Sequence, residues 1–347
     1  MDKMAGDERV TLLKPQPRDA SKAPIENDLE VLELGVIGKD IFTNARPLWH
    51  PPGARGIYGG AVIAQSLASA QVTVPDDFLP HSCHCYFLLA GDSSVPILFH
   101  VERVRDGRSF ATRTVQARQK GRCIFTTTIS FVKLDANGDE KQVSHAQELP
   151  RGVAGTVPDD DGDDGYGAPV VSRRVETGSE NAREIWERKC RSWIRAKGKI
   201  SPEGTHRAHL NALAYMTDSY FIGTVSRVHR LWRFPWRPAE VASLPAAQRK
   251  AVEADSCGPD GLTLEEWESR PQVGMLVSLD HSIYFHEPRR VRADEWMFVE
   301  MESPWAGDGR GVVTQRVWAR DGTLLATCFQ EGVVRLKKDG TEKGGKL

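Results

Sequence analysis

One order of elements runs through this chain twice: a helix, a strand, a second strand, an Asp-Gly hairpin and a closing strand. In the first pass, AVIAQSLASAQVTV carries Val62, Leu67 and Ala70 among small residues. It reads as a thin, well-buried helix ended by Pro75, Asp76 and Asp77. HSCHCYFLL and PILFHVERVR read as strands, Asp106-Gly107 as a hairpin turn and RSFATRTVQARQ as its return. RCIFTTTISFVKL follows Lys120-Gly121. In the second pass THRAHLNALAYMTDSYFIG precedes the strands GMLVSLDHSIYFHEP, EWMFVEMESP, GRGVVTQRVWAR and, across Asp321-Gly322, TLLATCFQEGVVRL. HSCHCYF answers DHSIYF, and DGRSF…CIFTTTISFV answers DGTLLATCFQEGVV. Each unit is then an α+β body, one helix wrapped by an antiparallel sheet, and two of them pair through sheet edges that would otherwise expose unpaired strand backbone.

This duplication divides the chain into a disordered leader (1–28), a first unit (29–135), a linker (136–202), a second unit (203–338) and a loose charged tail (339–347). LEVLELGVIGKDIFTNA has the alternation of a first strand pair, and PLWHPPGARGIYGG is a Pro/Gly-rich loop feeding the first helix. Within the linker, DDDGDDGYG (159–167) resembles a calcium loop only superficially. Its sixth position is Asp164 rather than Gly and its twelfth is Val170 rather than Glu, so it reads as solvated acidic linker. REIWERKCRSWIRAK reads as a short helix or strand with a cationic surface. The stretch from Arg230 to Gln272, carrying three of the nine Trp, fits equally an insertion over a pocket and a surface excursion.

Charge excludes one large class. A formal net charge of -1 leaves no unbalanced positive field to meet nucleic-acid phosphates. No apolar run approaches the length of a membrane-spanning helix, and the N-terminal stretch is polar throughout, so no secretory signal is expected. Six cysteines (Cys83, Cys85, Cys123, Cys190, Cys257, Cys328) are too scattered for a disulfide scaffold or a zinc site, which points to a reducing compartment.

The two halves differ in one chemically important way. The first helix holds no acidic residue, whereas Asp218 sits on the edge of the apolar stripe Leu210, Leu213, Ala214, Thr217, Phe221 in the second. Thr205 is placed to cap that helix and Gly223 to end it in a left-handed conformation. A carboxylate there is costly to desolvate unless it is hydrogen-bonded or has a task. Helical spacing alone favours a partly exposed Asp bonded to local backbone. Gln330 shares a strand face with Leu324, Ala326 and Cys328, so its buried amide needs partners, functional or merely backbone. It occupies roughly the place of Ser130 in the first half, and a single chemical site in the C-terminal half follows.

GGAVIAQSLASAQVTVPDDFLPHSCHCYFLLAGDSSVPILFHVERVRDGRSFATRTVQARQ and SLDHSIYFHEP…ADEW…TLLATCFQEGVVR resemble the acyl-CoA thioesterase II family over most of the chain. The resemblance implies a double hot-dog fold and hydrolysis of fatty acyl-CoA to free acid and CoA, with no metal or organic cofactor. It also implies a homo-oligomer. Its site residues carry over to Asp218 in YMTDSYF, Ser278 in VSLDHS and Gln330 in CFQEG, with Asp218 as base and the other two holding the attacking water. Ser278 rests on the resemblance alone, because alternation groups it with Asp280, Ser282 and Tyr284. The chain departs from bacterial relatives at Ala61, in LLAGD and at Glu287, none of them in the triad.

Other residues carry weaker signals. Ser278 with His281 as nucleophile and base is disfavoured, since residues three apart on a strand face opposite ways. His281 reads as a structural histidine bonded to backbone, and Arg103, Arg105 and Arg108 as a solvated hairpin face. The final Gly345-Lys346-Leu347 is one residue from a Ser-Lys-Leu peroxisomal address, so the expected location is peroxisomal, otherwise cytoplasmic. The competing functions are an acyl-CoA hydratase or dehydratase, suggested by Asp280-His281, and a non-catalytic acyl-CoA binder on the same fold.

Overall fold

The computed structural model describes residues 15–49, 56–136, 138, 141–159, 168–234, 236–256 and 262–337. In chain order the first unit comprises α1 (Pro24–Leu29), β1 (Val31–Glu33), β2 (Ile41–Asn44), α2 (Gly59–Val72), β3 (Phe78–Phe87), β4 (Leu98–Asp106), β5 (Phe110–Gln119) and β6 (Arg122–Lys133). The second comprises β7 (Val170–Arg174), β8 (Lys189–Ala196), α3 (Thr205–Thr217), α4 (Gly223–Val228), α5 (Ala246–Ser256), α6 (Leu264–Glu268) and β9 (Val273–Ser278). It closes with β10 (Asp280–Phe285), β11 (Met297–Gly307), β12 (Arg310–Ala319) and β13 (Leu324–Leu336).

Strand pairing displays the duplication directly. The sheet runs β1-β2-β4-β5-β6-β3 and then, in reverse, β10-β13-β12-β11-β8-β7, with β9 extending the pairing along β13. The two halves join at the antiparallel β3–β10 seam, where Cys83 faces Ile283 and Cys85 faces His281. This is the double hot-dog arrangement, and α2 and α3 lie together against the inner face of the sheet in one apolar core.

Register refines the correspondence between halves. The hairpin joining β12 to β13 at Asp321-Gly322 is matched by Lys120-Gly121 between β5 and β6, not by Asp106-Gly107. Asp106-Gly107 is matched by Asp308-Gly309 between β11 and β12. Likewise Cys85 pairs with Thr127 as Ile283 pairs with Cys328, so the counterpart of Gln330 is Ile129 rather than Ser130. The first unit thus carries a hydrocarbon where the second carries a carboxamide.

Helix α2 is buried from Gly60 to Gln71, which its Ala, Ser and Gly content permits on all sides. Its entry is set by close approach. A Cβ on Gly60 would lie 2.4 Å from the Tyr215 carbonyl oxygen, and one on Gly59 2.8 Å from Asp218 Oδ2. Only glycine lets the start of α2 meet the end of α3.

Several boundaries differ from those the sequence suggests. The stretch up to Asp28 is ordered in its described part: Ile25 and Leu29 are buried, and buried Asn27 donates to the carbonyls of Asp19, Lys22 and Ala23. Its few apolar anchors are diluted among charges, which hides them from a composition reading. Residues 1–14, the acidic run 160–167 and the tail 338–347 lie outside the described residues. The 136–202 segment supplies β7 and β8, so the second unit opens before residue 203. Its cations are paired across strands, Arg191 with buried Glu300 at 2.6 Å and Lys189 with Glu302, and Trp193 is fully buried.

Helix α3 stops at Thr217, and Asp218 is its C-terminal cap residue. Tyr220 takes the left-handed φ of 58°, the chain restarts as α4 at Gly223, and Thr205 (φ 56°) is the first helical residue with Gly204 in the cap position. Finally, the stretch after α4 builds its own small core from Trp232, Val241, Val252 and Trp267. Among the described residues no helix is long and apolar enough to cross a membrane.

Candidate active site

Asp218 leaves the last turn of α3 and reaches the first turn of α2, so one carboxylate joins the two units. Its side chain is 9% exposed, and it accepts hydrogen bonds from the Gly60 backbone N–H and from Gln330 Nε2, the latter at 2.9 Å. Burial raises its pKa from 3.8 to about 6, against the pull of those two donors. A carboxylate so placed is anionic at neutral pH yet basic enough to take a proton.

Gln330 comes from the inner face of β13 and is 1% exposed. Its amide nitrogen donates both hydrogens, one to Asp218 Oδ1 and one to His281 Nδ1 at 3.0 Å. Its Oε1 is buried without a protein partner. Since both amide hydrogens are spent, Gln330 faces any further ligand only as an acceptor.

His281 is fully buried, and burial lowers its pKa to about 3, so the ring is neutral. Its Nε2 lies 3.0 Å from Thr217 Oγ1, whose hydroxyl donates to the Ala214 carbonyl at 2.9 Å. Nε2 therefore carries the proton and Nδ1 the lone pair. The 3.9 Å approach of His281 Nδ1 to Asp218 Oδ1 is accordingly not an ion pair near neutrality, because the imidazole there bears no charge. Phe221 stands edge-on to the ring at 5.3 Å. Tyr58 closes the opposite side, with its hydroxyl 3.0 Å from the Tyr215 carbonyl oxygen and 3.0 Å from Ser219 Oγ.

Ser278 ends β9 opposite Gly332, on the same face of β13 as Gln330 two residues away. Among the described residues no direct hydrogen bond joins it to Asp218 or Gln330. Its face differs from the one simple alternation gives. Between the pairs Ser278–Gly332 and Ile283–Cys328 there are five residue steps on one strand and four on the other, so one extra residue is accommodated at Leu279–His281. That bulge turns Ser278 inward together with His281 and Ile283, and leaves Ser282 and Tyr284 on the outer face.

Of the three residues singled out in the sequence, Asp218 and Gln330 are in contact and Ser278 lies on their face one strand pair away. His281, which the sequence suggests is bonded to backbone, has its ring on two side chains instead, and nothing in the sequence marks Thr217 or Gly60 as a site residue. An amide with two donors beside one carboxylate implies a second acceptor, and His281 is the nearby side chain able to supply it. Among the described residues no group of three or more His, Cys, Asp or Glu side chains is gathered to hold a metal ion.

Comparisons with known proteins bear on the fold and the family. Residues 149–334 match the family described as acyl-CoA thioesterase C-terminal domain, and residues 46–132 the acyl-CoA thioesterase N-terminal domain. The chain is 33% identical to acyl-coenzyme A thioesterase 8 of Rattus norvegicus, over 92% of this chain and 94% of that one. It is 25% identical to peroxisomal acyl-coenzyme A thioester hydrolase 1 of Saccharomyces cerevisiae, over 91% and 96%. Among solved structures, an acyl-CoA thioesterase II of Mycobacterium marinum superposes with a TM-score of 0.62 at 28% identity, covering 92% of this chain and 99% of that one. On the two-domain match, the full-length relatives and the duplicated hot-dog fold, the chain belongs to the acyl-CoA thioesterase II family.

Proposed function

We propose that this protein hydrolyses acyl-CoA thioesters to a carboxylic acid and CoA, at a site built on Asp218, Gln330 and Ser278. The observation that carries the reading is the 2.9 Å Gln330–Asp218 hydrogen bond, which leaves the amide oxygen unpartnered beside a carboxylate of raised pKa. A water there donates one hydrogen to Gln330 Oε1 and one to Asp218, which aims its lone pair at the thioester carbonyl. Attack transfers a proton to Asp218, and the tetrahedral intermediate collapses by expelling the CoA sulfur, which takes the proton back as a thiol. Ser278, on the same face, contributes a hydroxyl to the far side of that water or to the developing oxyanion.

Incubating the pure protein with palmitoyl-CoA and a thiol-trapping reagent tests the reading. Free thiol accumulates if the enzyme hydrolyses, and Asp218→Asn releases almost none. The rival readings, hydration of an enoyl-CoA or binding without turnover, liberate no thiol at all.

Two further readings belong here. Peroxisomal location is supported by the yeast relative, whose name places that enzyme in the peroxisome, and fusing residues 338–347 to a fluorescent protein tests whether they carry the address. A homo-oligomer is supported by Tyr86, Tyr284 and Phe329, which stand 59%, 41% and 43% exposed together on the outer face of the β3–β10–β13 seam. Light scattering of the pure protein tests it.

A further inference from the structure

Gln330 owes its usefulness to the direction its carboxamide faces, and one ring decides that direction. We infer that His281 is a positioning residue: tied to Thr217 through one nitrogen and to Gln330 through the other, it fixes the carboxamide with its nitrogen on Asp218 and its oxygen toward the substrate. This rests on the hydrolytic reading above.

A planar NH2 group that donates to two fixed acceptors has no freedom left about its terminal torsion. The pair of bonds to Asp218 Oδ1 (2.9 Å) and His281 Nδ1 (3.0 Å) defines the amide plane, and Oε1 must then point away from both. Without the His281 acceptor the amide can turn about its terminal torsion, carrying its nitrogen off Asp218 and its oxygen off the water. His281 can accept only as the tautomer protonated on Nε2. Thr217 enforces that tautomer, because its own hydrogen is committed to the Ala214 carbonyl and its oxygen is left to receive the His281 N–H. A carbonyl in the last turn of α3 thus sets the proton on a histidine of β10, which sets the amide on β13.

The ring reaches this place through the bulge between β9 and β10, and its own carbonyl is held by Cys85 Sγ at 3.0 Å from β3. Among the described residues the titratable groups set against it are Asp218 from the end of α3, 3.9 Å from Nδ1, and Cys85 from β3, with Asp280 next to it in the chain. Of these Asp218 and Asp280 are carboxylates, and Asp280 is held by the Glu331 backbone N–H at 2.7 Å.

Two substitutions at one position separate positioning from packing. Asparagine places an acceptor where Nδ1 stood, whereas leucine fills the volume with none. His281→Leu is expected to lower kcat about 100-fold with KM changed less than about twofold, and His281→Asn to retain kcat within about tenfold of the parent. In the leucine variant the freed amide also withdraws its donor from Asp218, so the acid limb of the kcat/KM profile moves to higher pH. Thr217→Val keeps the ring and removes its anchor, and is expected to lower kcat about tenfold with the same displacement of the acid limb. If leucine and asparagine variants fold and lose kcat equally with the acid limb unmoved, His281 only packs and the inference is overturned. A leucine variant with parental kcat overturns it too. Should the leucine variant fail to fold, an unmoved limb in Thr217→Val decides against it. These results are distinct from failure of the hydrolytic reading, which shows instead as undiminished thiol release by Asp218→Asn.

Discussion

Replacing Asp218 by Asn is predicted to make the protein inactive and more stable at once. The carboxylate's pKa rises from 3.8 to about 6 on folding, because burial outweighs the lowering effect of the Gln330 and Gly60 hydrogen bonds. At about 1.4 kcal/mol per pKa unit, the folded state bears a penalty of about 3 kcal/mol for holding this charge above pH 6. Asparagine removes the charge and keeps an oxygen for the Gln330 amide. Its nitrogen then opposes the Gly60 N–H, which returns about 1 kcal/mol of the gain. The expected net is a stabilisation of about 2 kcal/mol, read by urea titration at pH 8. The pH dependence fixes the cause. Between pH 4 and 6 the folded parent holds a proton that the unfolded chain has released, so its stability falls as pH rises through that window. The Asp218→Asn protein has no such titration, so the advantage of the variant grows from pH 4 to 6 and is constant above. A variant less stable than its parent at pH 8, or an advantage that does not change across that window, would refute the account of Asp218 as a charge held buried at energetic cost.

Further outcomes follow from the same geometry. The kcat/KM for acyl-CoA hydrolysis should rise about tenfold per pH unit up to an apparent pKa of about 6 and level off above it, as the base loses its proton. A flat profile from pH 4.5 to 7 would mean that Asp218 is not the base. Gly60→Ala forces a methyl to within 2.4 Å of the Tyr215 carbonyl oxygen, so a loss of about 1–3 kcal/mol in urea titration and a large fall in kcat are expected together. Ser278→Ala should lower kcat by only about tenfold, well short of Asp218→Asn, because the hydroxyl lies one strand pair from the Asp–Gln contact. Trp193→Ala, far from the chemistry but fully buried against Phe298, should cost about 3–5 kcal/mol of stability and leave KM for acyl-CoA unaltered.

How far the sequence speaks depends on how local the physics is. The two hot-dog units are legible because hairpin turns and two-residue alternation are local, and because each unit repeats the other. Asp218 and Gln330 are legible because a carboxylate or amide among hydrocarbon neighbours is costly unless partnered. His281 is not, because its place depends on one extra residue between β9 and β10, which alternation reads straight through. The same bulge reverses the face of Ser278. The strand β8 is obscured for a different reason: Lys189 and Arg191 look like a solvated face until Glu300 and Glu302, more than a hundred residues later, are laid beside them. Asp218 reads as a mid-helix residue because the break that follows it falls at Tyr220, whose left-handed backbone is not announced by a glycine or proline at that position.

The central claim is that water, not a side chain, attacks the thioester, with Asp218 only drawing its proton. A single turnover of palmitoyl-CoA in 18O-water, with enzyme in excess, tests this most directly. Direct attack predicts one 18O in the released acid and none in the protein. Label recovered in the side chain of Asp218 would instead reveal an acyl-anhydride intermediate, and would contradict the account.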